Sequence, residues 1–256
     1  CSSDLDLEDR AEALDNLAGA YVEANRLDEA EGAYSRLIDI IENSPTSRDN
    51  TGSNSNTVAL RSSALSNRAL IRRTKGDQPG AKEDYRKLIK VLESLQNPET
   101  LTLFRSYMGL GAVEIALNDQ DNAKIAFGKA LQLAIVNYGD NSAEVSRAAH
   151  ELGRVLQDKK EFKQALALYQ KDLQITESLV GKSSTELLVP LRSVGQILLS
   201  ENRCDEAATV FNRALAIAKD SRSSLASEEN LIKELEENGE LSTECHFNRL
   251  STEVTK

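Results

Sequence analysis

The stretch QDNAKIAF, running from Gln120 to Phe127, decides the fold because four other stretches superpose on it: LDEAEGAY from Leu27, QPGAKEDY from Gln78, FKQALALY from Phe162 and CDEAATVF from Cys204. The superposition makes one alanine column, Ala30, Ala81, Ala123, Ala165 and Ala207, with a first step of 51 residues and three steps of 42. Four residues further on stands an aromatic column, Tyr34, Tyr85, Phe127, Tyr169 and Phe211, which takes five of the eleven aromatic residues in the chain. Eight residues after the alanine come Ile38, Ile89, Leu131, Leu173 and Leu215. A stripe at i, i+4 and i+8 is one face of an amphipathic helix, and its recurrence at a fixed period marks a repeat architecture.

Twelve residues upstream of each alanine the column reads Ala18, Ala69, Gly111, Gly153 and Gly195, preceded by Leu17, Arg68, Leu110, Leu152 and Val194. Small residues there let a first helix approach the second closely. Short polar turns at 25–28, 75–78, 118–121, 158–161 and 201–205 join the two, with the length expected for antiparallel helix pairs. The units read as helical hairpins over 11–43, 58–96, 97–139, 140–181 and 182–221. The Ser/Asn/Thr/Gly-rich residues 44–57 read as a flexible surface insertion. Residues 222–237 read as a helix capping the last exposed apolar face, 1–10 as a tether and 238–256 as a polar tail.

The order of small residue, turn, alanine and aromatic resembles the tetratricopeptide repeat over roughly residues 11–221. The 42-residue period is similar to the longer repeats of kinesin light chains, a similarity carried also by LDNLAGAY (Leu14–Tyr21) and the turn Tyr138-Gly139-Asp140. Arg72 and Glu114 depart from the pattern, standing where the first unit has Tyr21. The resemblance implies an all-α protein, a right-handed α-solenoid of about five such hairpins plus a C-terminal capping helix. It also implies a protein–protein interaction module rather than an enzyme. In related repeats an asparagine on the first helix often bonds the ligand backbone, which makes Asn16 and Asn67 candidates.

Composition narrows the function further. The 256 residues are 40% apolar and 28% charged, with 13 Gly and 4 Pro, which excludes collagen-like and wholly disordered chains. A net charge of -10 and 4% aromatic residues argue against nucleic acid as a partner. The two histidines, His150 and His246, stand far apart with no catalytic neighbours, and no phosphate loop, dinucleotide fingerprint or metal motif occurs. No cofactor, metal or enzymatic activity is expected. Cys204, at the start of a second helix, reads as an incidental, partly exposed thiol; in an oxidising compartment it would have Cys245 as a partner.

Stacked hairpins present a concave surface lined by their first helices. Helix geometry puts on that surface Asn16 and Glu23, Asn67 and Arg73, Arg105, then Arg147, His150 and Arg154, then Arg192 and Gln196. Its later part is cationic, so the expected ligand is a protein or peptide segment of acidic character. The competing reading pairs these arginines with neighbours such as Glu144, Glu151 and Asp158. Cys1-Ser2-Ser3-Asp4 resembles the mature start of a bacterial lipoprotein. That implies a lipid on Cys1, membrane contact through that lipid only, and a place at the cell envelope. A cytoplasmic adaptor and a self-assembling structural repeat protein are the alternatives.

Overall fold

The structure, a computed structural model, describes residues 2–44, 55–220 and 229–254. Cys1 and most of the expected insertion at 44–57 lie outside them. The chain forms α1 (Ser2–Glu23), α2 (Leu27–Glu42), α3 (Ser55–Lys75), α4 (Gln78–Glu93), α5 (Thr100–Ala116), α6 (Gln120–Tyr138), α7 (Ala143–Asp158), α8 (Phe162–Val180), α9 (Leu188–Ser200), α10 (Cys204–Asp220) and α11 (Glu229–Val254). A 3-10 turn, Thr185–Leu187, leads into α9. No strand occurs among the described residues. Two compact units result, Cys1–Ala130 and Leu131–Lys256, the division falling within α6.

All five hairpins turn in the same way. Asn25, Gly76, Asn118, Lys160 and Asn202, each five residues before the alanine column, have positive φ between 55° and 87°. The next amide donates back to the carbonyl five residues earlier, from Arg26 to Tyr21, Asp77 to Arg72, Asp119 to Glu114, Glu161 to Leu156 and Arg203 to Leu198, each at 2.8 Å. This left-handed ending satisfies carbonyls that the first helix leaves open and reverses the chain within two residues.

The aromatic column is buried, and in three hairpins it explains the glycine opposite it. A Cβ at Gly111 would lie 2.7 Å from the Phe127 ring, one at Gly153 2.9 Å from Tyr169 and one at Gly195 2.5 Å from Phe211. In the other two hairpins the same column is filled by the fully buried Ala18 and Ala69.

Within Cys1–Ala130, α1 packs on α2, α2 on α3, α3 on α4 and α4 on α5. Arg68 stands in a column that is otherwise leucine or valine and is nevertheless buried. Its guanidinium donates to both carboxylate oxygens of the buried Asp84, at 2.9 and 2.6 Å, and to Ser35 Oγ at 3.0 Å. Arg72 extends the network to Asp84 and Glu31, and Lys75 extends it to Glu31 and Asp28. Glu114, the other departure from the pattern, is buried against Lys82 at 2.7 Å and Arg86 at 3.2 Å. Both irregular positions are therefore ion-paired packing positions.

Within Leu131–Lys256, the core gathers Leu156, Tyr169, Leu191, Ile197, Phe211 and Leu235 around α8 to α11. α11 packs on α10 and touches α9, and a disulfide joins Cys204 to Cys245. Cys204 is thus buried and bonded, which corrects its reading as an exposed thiol. Two boundaries differ from the sequence reading. Residues 2–10 are the first turns of α1, where no Gly or Pro breaks the helix. The helix expected to end at 237 continues to Val254, because Asn238 and Gly239 sit on the packed side of α11, with Gly239 facing Leu215 and Ser242 buried.

Candidate functional site

The nine candidate side chains fall into two groups according to whether the fold occupies them. In the first unit Asn16 is exposed and forms no hydrogen bond among the described residues, and Arg105 is exposed without an ion pair. Arg73 is half-buried and unpaired; its charge opposes the rise that burial imposes on the Tyr85 pKa. Asn67 is half-buried and engaged, its Nδ2 donating to Tyr34 Oη at 3.0 Å and to Ser63 Oγ at 3.4 Å. It serves as a tie between α3 and α2, with its carbonyl oxygen left over. Asp15 lies near the same tyrosine with Oδ1 buried and unpartnered, and desolvation raises its pKa.

In the second unit Arg147 is exposed and unpaired, whereas its neighbours on α7 are engaged. Arg154 grips Glu151 one turn away at 2.9 and 3.1 Å, the pairing that the competing reading proposed. His150 Nδ1 lies 2.9 Å from Asp172 Oδ2, with its ring tilted against Tyr169. Asp172 also accepts hydrogen bonds from Ser146 and Thr176, so these groups lock α7 to α8. Ser146 bonds the carboxylate and not the imidazole, which is not the order a nucleophile relay needs. No group of His, Cys, Asp and Glu that could hold a metal occurs among the described residues. No described helix is long and apolar enough to cross a membrane.

Arg192 and Gln196 are brought together by a residue that no sequence pattern singled out. Glu234 of α11 accepts from Arg192 Nη1 at 2.9 Å and from Gln196 Nε2 at 3.3 Å. The capping helix thus delivers a carboxylate to two groove candidates at once. Sequence reading also missed a polar cleft of about 370 Å³ between α3, the α4–α5 connection and α5, lined by Ser62, Ser66, Asn67, Asn97, Glu99 and Thr102. The serines of α3 at 55, 62, 63 and 66 were the available signal, and Ser62 Oγ is buried there without a partner.

Paired helices, one left-handed residue per turn and an aromatic packed on a small residue define an all-α protein of repeated helical hairpins. Residues 144–220 match the tetratricopeptide-repeat family model, and residues 104–134 match a second model of the same repeat; the chain carries tetratricopeptide repeats. Solved structures agree. BtubC (BKLC) from P. vanneervenii is 18% identical with a TM-score of 0.63, covering 90% of this chain and 92% of that one. The kinesin light chain-like TPR repeats of Podosopora anserina are 16% identical with a TM-score of 0.65, covering 84% and 98%. The apo form of RapI is 13% identical with a TM-score of 0.67, covering 95% and 96%. At these identities the likeness is one of fold. A search of curated proteins finds no significant match.

Proposed function

We propose that the chain is a non-catalytic scaffold that holds an acidic peptide or partner segment against the first helices of its repeats. The observation that carries this reading is the pair Arg105 and Arg147. They occupy the same repeat position on α5 and α7, 42 residues apart in sequence, and both are exposed and without an ion pair among the described residues. A guanidinium left open in this way offers a charge-assisted, bidentate site to a carboxylate. Glu234 supports the reading in kind, since a carboxylate on a helix is what Arg192 and Gln196 on α9 already accept. Asn16 and the unused carbonyl of Asn67 add neutral hydrogen-bonding groups for a ligand backbone, and Arg73 adds a further cation.

The test is titration of the chain with labelled glutamate-rich and lysine-rich peptides. The expected result is preference for the acidic peptide, with Arg105→Glu combined with Arg147→Glu weakening it roughly tenfold or more at unchanged helicity. Equal affinity for both peptides would overturn the reading. We also propose a location at the cell envelope, on its oxidising side. The disulfide between Cys204 and Cys245 supports an oxidising compartment. Alkylation of the protein isolated without reductant is expected to leave Cys204 and Cys245 unmodified, and free thiols at both would count against that compartment.

A further inference from the structure

A cationic stripe runs along the outer face of α4. Lys82, Arg86 and Lys90 stand at i, i+4 and i+8, with Lys87 beside them. They border two adjoining clefts of about 520 and 280 Å³ that share Arg86 and Lys90, and Lys129 of α6 stands on the opposite rim. Each cleft also has an exposed apolar side chain in its lining, Leu117 (37% exposed) in the larger and Ile125 (59% exposed) in the smaller. Lys82 and Arg86 share the buried Glu114, Lys87 pairs with Glu83 on its own helix, and Lys129 lies 3.9 Å from Glu93. Lys90 is exposed and forms no ion pair among the described residues. Lys82 also lies 3.9 Å from Asp119, so five cations stand against four carboxylates, an excess of positive charge in a chain of net charge -10.

The complementary surface is on α11. Burial of Leu235 and Ser242 and the bond from Cys245 to Cys204 fix the rotation of this helix. Its outward face then carries Glu237, Glu240 and Glu244, with Leu241 52% exposed among them. Glu237 comes only within 4.0 Å of Lys233, and Glu240 and Glu244 form no ion pair among the described residues. At the helical rise per residue the basic stripe is about 12 Å long and the acidic stripe about 10 Å. Each is two turns long, and each has exposed apolar side chains beside its charges.

We propose that the chain associates head to tail, α11 of one copy lying along the α4–α6 groove of the next. Glu237, Glu240 and Glu244 meet the rim of Arg86, Lys87 and Lys90, and Leu241 covers Ile125 and Leu117. A second copy fits better than a nucleic acid, because phosphates gain nothing from the exposed apolar side chains and are repelled by the net charge. The two patches are different surfaces, so the contact is heterologous, and its repetition gives rings or open chains. One helix on one groove buries little area, so the association is weak and sensitive to salt. Neither patch includes Arg105 or Arg147, so this inference and the peptide-binding reading stand or fall separately.

Sedimentation velocity of the full chain, from micromolar to millimolar concentration, tests the inference. At about 0.1 M salt, where the long-range repulsion between copies is largely screened, the average mass should rise with concentration, and it should fall back at about 1 M salt. Lys87→Glu with Lys90→Glu, or Glu240→Lys with Glu244→Lys, should each weaken association roughly tenfold. Mixing the two variants should restore it, which a misfolded variant could not do. A wild-type chain that stays monomeric throughout, variants that associate like the wild type, or a mixture that fails to recover would each overturn the proposal.

Discussion

In the second hairpin the residue before the small-residue column is Arg68, facing Asp84, whereas the fifth hairpin has Val194 and Val210 at the same two places. Both helix pairs close, turn on a left-handed residue and bury their aromatic. The second does so with a buried ion pair in which each of the three Arg68 guanidinium nitrogens donates a hydrogen bond, its Arg68 and Asp84 side chains 8% and 0% exposed. The fifth does so with aliphatic packing, a ring on Gly195 and a disulfide to α11. A repeat framework thus tolerates opposite chemistries at one position, but it tolerates them differently. An ion pair is costly to break from one side, because the survivor is a buried charge. An aliphatic contact loses only what was removed, together with any cavity left behind.

This contrast orders the expected effects of substitution. Asp84→Ala leaves Arg68 buried and Arg72 without one of its three carboxylates, so urea unfolding should show a loss of about 3–5 kcal/mol. Reducing the disulfide, or Cys245→Ser, releases a cross-link spanning 41 residues and should cost about 2–4 kcal/mol. Hydrogen exchange should place that loss in α11 and α10. Gly195→Ala drives a methyl group into the fully buried Phe211 ring and should cost about 1–3 kcal/mol by thermal denaturation. The smallest effect is one of pH. Burial pushes Glu31 up, but hydrogen bonds from Lys75 and Arg72 outweigh it and hold its pKa below the usual glutamate value. A depressed folded-state pKa contributes stability above the unfolded value and loses it as pH falls through the folded one. Melting temperature measured from pH 6 downward should therefore fall less in Glu31→Gln than in the wild type.

The hairpins were legible because their signals are local: alanine, aromatic and small-residue columns at fixed spacing, with turn residues between them. The site was less legible, because its outcome depends on contacts that spacing does not encode. Arg192 and Gln196 meet Glu234 about forty residues away, on a helix whose register is set by Leu235, Ser242 and the disulfide. His150 turns to Asp172 on the next helix. Arg105 and Arg147, at one repeat position, are exposed and form no ion pair among the described residues. Arg72 and Glu114 looked like irregularities because the charges that answer them, Glu31 and Asp84 for the one and Lys82 and Arg86 for the other, lie on other helices.

The most direct test of the claim that the second hairpin is closed by a coupled ion pair is a double-mutant cycle using the residues of the third hairpin, Leu110 and Ala126, which stand at the same two places. Arg68→Leu, Asp84→Ala and the double variant would be compared by urea unfolding of the whole chain. The account predicts that the double variant is more stable than the Asp84→Ala single variant, with a coupling of about 2–3 kcal/mol. Two single losses that simply add would contradict it.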